Sequence, residues 1–477
     1  MASGDMARLY HQLSSYYRYE PGLLELPPIA HPLVLRTFVT NHRATFPAHT
    51  KAYPDSLRAV ELPDAWPSVR VSATEVLAGT DRAVPSRLGV AGLARILHLS
   101  AGVVRVATRR DGRVFLFRPP GSAGGLFPLE LYVAARDIDG LEDGVWWYDP
   151  IAHALRRVGP PPEGETSAVI VTGIPWRTGW RYAERGYRHI GWDAGTMLAH
   201  LLPLARSAGL APRLWTRFPD AEVARLVGAD TAQELPLAVV GLGPGAPAIG
   251  RRGDAEPGTI DSHAVEFPLI TATHHAGNGD ALRDPWPDPP ALDTVPPSED
   301  LDRVILRRGS ARELACDASL TRSQLETCVA LGLHGSRVAQ FVAVSSVSGV
   351  EPGVYRWPDL GRPIRTGDLR RELWIACWEQ DLCLDAAAVV IAAVDLEGID
   401  DRGYLEAQID AGITSGRLQL AATALGFAAS GMTFLDSRIP DLLGLPLGGL
   451  LFTCLGVAPR HTKRAGTPRR PTDVSES

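Results

Sequence analysis

Residues 140–145 read Gly140-Leu141-Glu142-Asp143-Gly144-Val145, and residues 349–354 read Gly349-Val350-Glu351-Pro352-Gly353-Val354, an offset of 209. Each stretch runs into aromatic residues, Trp146, Trp147 and Tyr148 in the first case and Tyr355 and Trp357 in the second. Downstream, Arg185-Gly186-Tyr187 returns as Arg402-Gly403-Tyr404, Asp193-Ala194-Gly195 as Asp410-Ala411-Gly412, and Gly209 as Gly426, all at an offset of 217. One short match is weak; a series in the same order at a nearly constant offset is not. The chain reads as two tandem copies of one unit, with a period too long for a solenoid.

Each copy reads as α+β. Segments 129–135 and 338–346 alternate or run apolar with β-branched residues, as strands do. The Gly-x-x-x-Gly-Val turn then leads into a second strand. Segments 193–208 and 410–425 are rich in Ala and Leu, with Asp expected as N-cap and Gly209 or Gly426 as the stop. They are apolar nearly all round, which predicts central, buried helices. A further strand follows each, at 236–241 and 449–455. Residues 243–300 are rich in Gly and Pro and read as an extended linker. The expected division is an N-terminal extension at 1–70, a first domain at 71–242, the linker at 243–300, a second domain at 301–460 and a disordered tail at 461–477.

The chain has 477 residues and a net charge of −6, which argues against a nucleic-acid surface. Of 48 basic residues only Lys51 and Lys463 are lysines, so arginine abundance alone carries no message. Five cysteines, all in the second half and none in a Cys-x-x-Cys pair, fit reduced thiols in a cytoplasmic protein. No signal peptide is read at the N-terminus. The apolar stretches 386–394 and 443–458 are too short or too broken by Gly and Pro to span a membrane, and read as core.

Two segments could carry chemistry. In Arg308-Gly309-Ser310-Ala311-Arg312, an extended backbone puts two guanidiniums and a hydroxyl on one face, which suits a phosphate dianion. Between Arg118 and Pro128, the small residues Gly121, Ser122, Ala123 and Gly124 let a flat ligand approach the backbone. Other patterns carry less. Gly241-Leu242-Gly243-Pro244-Gly245 follows a strand but no helix can follow it, so a dinucleotide loop is not expected. His274-His275 reads as a surface pair in the linker, with no metal.

Arg-x-Ser-x-Arg opening a domain, with Ser122-Ala123-Gly124-Gly125-Leu126-Phe127-Pro128 before a strand, resembles the nitroreductase-like FMN oxidoreductases, and most nearly their SagB/McbC-type peptide azoline dehydrogenases. Tyr10-His11, Lys51-Ala52-Tyr53-Pro54 and Glu61-Leu62-Pro63 look like that subtype's N-terminal extension. Gly144 to Pro150, and Arg181-Tyr182 through Arg188 with Asp193 to Gly195, resemble two of its internal segments. The resemblance implies an FMN fold that works as a homodimer, with flavin at the subunit interface.

Here the two copies would form a pseudo-dimer. Counting by fixed offsets, the first copy has Val76, Ala78 and Thr80 where the second has its Arg-x-Ser-x-Arg set. The second copy has Ala330 to Leu333 where the first has Gly121 to Gly124. One FMN per chain is therefore expected, held by Arg308, Ser310 and Arg312 with Gly121, Ser122, Ala123 and Gly124. Gly431 and Met432 would lie near the flavin ring, and Arg460 would add a phosphate cation. Tyr182 and Arg181 match the family's Tyr and Lys beside the flavin; Arg is a poor general base, so either Tyr182 or a substrate-bound water takes the proton, or Arg181 only stabilises a developing phenolate or azolate.

The implied activity is oxidation of thiazoline or oxazoline rings to azoles in a ribosomal precursor peptide, with a cyclodehydratase as partner and no nucleic acid or membrane involved. Association of the two-domain chain into a homodimer is left open. The alternatives are an NAD(P)H-dependent flavin reductase of nitro, quinone or dehydroamino-acid groups, and a non-catalytic scaffold of the same fold in a peptide-modifying complex.

Overall fold

The structure is a computed structural model that describes residues 3–20, 23–25, 31–34, 43–108, 110, 112, 114–293, 295–459 and 466–469. The N-terminal segment contributes α1 (Asp5–Ser14), the hairpin of β1 (Tyr17–Glu20) and β2 (Leu23–Glu25), and β3 (Ala59–Glu61). The first half continues with α2 (Ala73–Ala78), α3 (Val90–Ala101), β4 (Arg105–Thr108), β5 (Val114–Phe117), β6 (Leu129–Ala135), β7 (Gly144–Asp149), β8 (Ala154–Gly159) and β9 (Ala168–Gly173). Then come α4 (Pro175–Tyr182), α5 (Gly186–Ser207), β10 (Arg213–Trp215), α6 (Asp220–Val227) and β11 (Leu235–Gly241). After α7 (Pro268–Ala276), the second half runs α8 (Leu301–Arg307), β12 (Leu320–Thr321), α9 (Arg322–Leu333), β13 (Ala339–Val344), β14 (Val347–Ser348), β15 (Gly353–Arg356) and β16 (Pro363–Thr366). It ends with α10 (Arg370–Ala376), α11 (Asp381–Leu384), β17 (Ala388–Val394), α12 (Asp401–Ala424), β18 (Ala428–Met432) and β19 (Gly448–Gly456); β20 (Thr467–Pro468) lies in the tail.

The two large sheets repeat one topology. The first has the order β10-β11-β9-β6-β7-β8-β3, and the second, read the same way, β18-β19-β17-β13-β15-β16. Their main pairings are antiparallel, and β3 is an extra edge strand supplied by the N-terminal segment. Strands β6, β9, β11 and β17 are buried along their whole length, because both sheet faces are covered. α5 and α12 pack between the sheets, and one apolar cluster joins Val169 and Leu198 of the first half to Val390 and Leu418 of the second. The outer faces are closed by α6 in the first half and by α10 and α11 in the second.

α5 and α12 meet at their glycines. A Cβ on Gly195 would stand 2.2 Å from Ile409 O, and one on Gly412 2.4 Å from Trp192 O. The backbones are therefore in contact where the repeated Asp-Ala-Gly triplets cross. The buried ion pairs are reciprocal too: Arg185 of the first half binds Asp436 of the second at 2.6 Å, and Arg402 of the second binds Asp220 of the first at 2.8 Å. Ser72 and Asp300, which precede α2 and α8, pair with each other in an antiparallel bridge. Each of these contacts joins matching elements of the two halves in exchanged roles, as in an isologous dimer interface.

Several expectations need correction. Asp193 and Asp410 are not N-caps. Both lie inside longer helices, and α12 is capped by Asp400, which accepts from Gly403 N. The fixed offsets also misplace two counterparts, because connecting loops differ in length. Asp193 accepts from Ser122 Oγ and Ala123 N, and Asp410 from Ser336 Oγ and the N–H groups of Arg337 and Val338, so Ser122 corresponds to Ser336 and not to Leu331. Likewise α2 matches α8. The turn that answers Arg308–Arg312 therefore starts after Ala78, and Val76 and Ala78 belong to the helix itself.

The 243–300 segment is not wholly extended. It contains α7, whose Leu269, Ile270 and Thr273 are buried along with His274, so the His274-His275 pair is half interior. In the tail, β20 pairs with β4, and Arg469 donates to Val104 O and Ile151 O. Among the described residues no helix is long and apolar enough to cross a membrane, and no group of three or more His, Cys, Asp or Glu could hold a metal ion.

Candidate functional site

The Pro119–Gly124 loop of the first half meets the turn after α8 of the second. Arg308 Nε donates to Pro119 O at 2.6 Å, and Arg308 Nη1 to Gln419 Oε1 at 2.7 Å and Ser310 Oγ at 3.3 Å. A Cβ on Gly121 would lie 3.2 Å from Gln419 Oε1 and 3.5 Å from Ser310 Oγ, so the two segments face each other across a narrow gap that glycine keeps open. Arg312 and Ser310 are both exposed.

The loop is held from behind by α5. Ser122 Oγ donates to Asp193 Oδ2 at 2.5 Å and accepts from Phe127 N at 2.9 Å; Ala123 N donates to Asp193 Oδ1 at 3.0 Å; Thr196 Oγ1 donates to Gly121 O at 2.8 Å. Burial pushes the Asp193 carboxyl up from 3.8 to about 7, although both hydrogen bonds oppose the shift. Hardly any space remains behind the loop, about 10 Å³ between Arg118, Ser122, Phe127 and Met197.

At one end stand Arg181 and Tyr182, the last residues of α4. Gly124 has φ +63°, and a Cβ there would lie 3.0 Å from Tyr182 Oη and 3.2 Å from Arg181 Cδ. The Tyr182 ring packs on His189, centroids 4.0 Å apart and tilted by 32°. Burial pushes the Tyr182 phenol up to about 12, with Arg181 acting the other way. The chain leaves α4 through Ala183, at φ +48°, and passes through one 3-10 turn, Ala183–Arg185, into α5.

At the other end is β18. Gly431 is exposed, and a Cβ on it would lie 3.5 Å from Ser415 Oγ. Ser415 Oγ accepts from Thr453 Oγ1 at 2.9 Å and from Gln419 Nε2 at 3.3 Å, which links Gly431 to the Arg308 side. Met432 is buried in the outer core of the second half, so its side chain points away from the gap. Ala311 N donates to Ala429 O at 3.3 Å and ties the arginine turn to β18.

The structure thus brings together Arg181, Tyr182, Gly121 to Gly124, Arg308, Ser310 and Gly431; Arg312 lies in the same turn, and Met432 contributes backbone alone. Arg460 and Lys463 lie outside the described residues. Sequence reasoning missed Gln419, Ser415 and His200. Ser415 and Gln419 are a buried polar i, i+4 pair on an apolar helix, a signal that is visible in the sequence. His200 Nε2 is buried without a hydrogen-bond partner, and burial, with Arg308 nearby, pushes this imidazole down to about 3, so it is neutral.

The corresponding place in the first half is built differently. After α2 the chain reads Gly79-Thr80-Asp81-Arg82. There the Asp81 side chain is 2% exposed and binds Arg206 Nε at 2.8 Å. A carboxylate engaged by the half-exposed Arg206 stands where the second half presents Arg308 and Arg312.

No protein-family model matches the chain. A solved structure from Anabaena variabilis ATCC 29413, provisionally named a nitroreductase, is similar over 95% of this chain and 99% of its own, with 25% identity and a TM-score of 0.73. A protein of Methanocaldococcus jannaschii, also provisionally named a nitroreductase, is 29% identical over 173 residues, 33% of this chain and 82% of that one. The Escherichia coli microcin synthetase McbBCD complex with truncated pro-MccB17 bound matches 40% of this chain and 79% of its own at 20% identity, but its TM-score of 0.28 is too low to bear on fold or function. The first likeness shows a nitroreductase-like mixed α/β fold across both halves. Both provisional names denote oxidoreductases, and that is the class of chemistry they support.

Proposed function

We propose that this nitroreductase-like chain is an FMN-dependent oxidoreductase that converts thiazoline or oxazoline rings of a ribosomally made peptide to the azoles. The observation that carries the flavin reading is the 2.6 Å bond from Arg308 to Pro119 O, which joins an anion-binding turn of one half to a glycine-rich loop of the other. The residues present fit FMN. Arg308, Arg312 and Ser310 offer charge-assisted donors to a phosphate. Gly121 and Gly124 keep the loop backbone bare for a planar ring, and His200 offers a buried nitrogen without a partner. When bound, FMN supplies a two-electron hydride acceptor.

The chain's own residues would position the reaction. Asp193, through Ser122 and Ala123, fixes the loop against which the ring lies. Tyr182 and Arg181 border it at Gly124. In azoline oxidation the substrate loses a ring proton and a hydride, and Arg181 would stabilise negative charge developing on the ring. The proton would go to a water hydrogen-bonded to Tyr182, because the phenol itself is protonated at neutral pH. The azoline substrate and a ring-forming cyclodehydratase partner rest on the motif resemblance, as does a cytoplasmic place of work.

A protonated Tyr182 also favours a second reading, an NAD(P)H-dependent reductase in which this phenol donates the proton that accompanies hydride delivery. Two assays separate them. A synthetic azoline peptide should lose two hydrogens per ring when incubated aerobically with the flavin-loaded chain, and NADPH should not bleach the flavin within the same time. Rapid anaerobic bleaching with no change in peptide mass would favour the reductase.

A further inference from the structure

The Tyr182 end of the candidate site has a pseudo-symmetric counterpart, and its chemistry differs. Ile399 stands in place of Tyr182, Glu406 in place of His189, and Arg337 in place of Ala123, while Arg217 precedes Phe218, the counterpart of Phe434, since Arg402 and Arg185 lie over these two rings. Here the surface opens into a cavity of about 540 Å³. Its wall is acidic. Arg217 uses its guanidinium on two carboxylates at once, Asp400 at 2.9 Å and Glu406 at 2.9 Å, so this trio retains one negative charge.

Asp410, 2% exposed, also lines the cavity. Its three hydrogen bonds, from Ser336 Oγ and the N–H groups of Arg337 and Val338, all fall on Oδ2. Oδ1 accepts from no described residue, yet it is not among the enclosed atoms that lack a partner, so it faces the cavity. The Arg337 guanidinium, on the residue whose N–H binds Asp410, stands 4.6 Å from the centroid of the Trp286 ring, so a planar cation of the chain itself already covers this aromatic face. A buried carboxylate oxygen and a wall on which Glu397, Asp400, Glu406 and Asp410 outnumber Arg217 and Arg337 suit a guanidinium or alkylammonium group.

We propose that this cavity binds such a cation, carried either by a free amine or by a basic side chain of a peptide. The proposal rests on the cavity alone and does not depend on flavin binding. Calorimetric titration of the full chain with agmatine, with N-acetyl-arginine methylamide and with the neutral N-butylurea tests it. Agmatine should bind saturably and N-butylurea should not. Equal binding of the arginine derivative would identify a peptide side chain as the source, and binding of agmatine alone a free amine.

Asp410→Asn should weaken agmatine roughly tenfold, about the worth of one charge-assisted hydrogen bond. Arg337→Ala frees the Trp286 face and removes a like charge, so it should tighten agmatine several-fold, a gain that a misfolded variant cannot imitate. Absence of saturable binding by both cations, equal binding of N-butylurea, or weaker binding by Arg337→Ala would overturn the proposal.

Discussion

Arg308 and Arg312 occupy one turn but carry different burdens. Arg308 is tied to Pro119 and Gln419, whereas Arg312 is exposed. Arg312→Ala should weaken FMN retention by about 1.5 kcal/mol or more, roughly tenfold, with the melting temperature unchanged. Arg308→Ala should weaken retention and also lower the stability of the apoprotein by about 1 kcal/mol, since a contact between the halves is lost. Flavin fluorescence after gel filtration, alongside thermal unfolding, reads both; equal retention by both variants and the parent chain would remove the phosphate assignment.

Asp193 gives a pH signature at the same scale. Its folded value of about 7 lies above the 3.8 of an unperturbed carboxyl, so between about pH 4 and pH 7 the folded state keeps a proton that the unfolded state has released. Stability should fall as pH rises through that window. Asp193→Asn should flatten the slope in a urea-unfolding series. A residual slope should remain from Asp410, raised to about 6 by burial. An unchanged slope would mean that Asp193 is not protonated in the fold.

Among the elements, α5 and α12 set the arrangement. Gly195→Ala or Gly412→Ala would force a methyl to within 2.5 Å of the facing helix backbone. Overpacking of this kind costs about 1–3 kcal/mol, and here the neighbour is backbone, which cannot turn aside, so the upper end is expected in the denaturant midpoint. Gly309→Ala, with nothing within 4 Å of its Cβ position, should leave that midpoint alone.

These helices also show what the sequence disclosed. Their apolar composition, their Gly209 and Gly426 ends and the repeat of Asp-Ala-Gly were all legible. The role of the triplet was not. Asp looks like an N-cap because that is its commonest use beside a helix, but here it is an interior residue that holds a loop across from it. The loop counterparts escaped for a related reason. A fixed offset survives within strands and helices and fails across loops of unequal length. Tyr182 and the Arg308 turn stood out in the sequence because motif and chemistry coincided, and the structure sets both against the Gly121–Gly124 loop. Gln419 and Ser415 matter through tertiary contact alone.

At the scale of the molecule, the two halves are locked by charge as well as by packing. Asp436 accepts from Arg185 and Arg188, both buried, and these guanidiniums hold its carboxyl far below the usual range despite the cost of burial. Its contribution is present above about pH 4 and is lost on acidification. Asp436→Asn should destabilise by about 3–5 kcal/mol at neutral pH, because two buried cations lose their partner. Urea unfolding checks this, and a loss below 1 kcal/mol would show that the interface relaxes around them.

The two halves share a topology but not their site chemistry: one seam has Arg308, Arg312 and the Gly121–Gly124 loop, and the other has Asp81 and Arg337. The account therefore predicts a single flavin. The most direct measurement is the flavin-to-chain ratio of the purified, FMN-saturated protein, from flavin absorbance after denaturation and amino-acid analysis. A ratio of one, falling in Arg312→Ala, is expected; a ratio of zero or two would contradict the account.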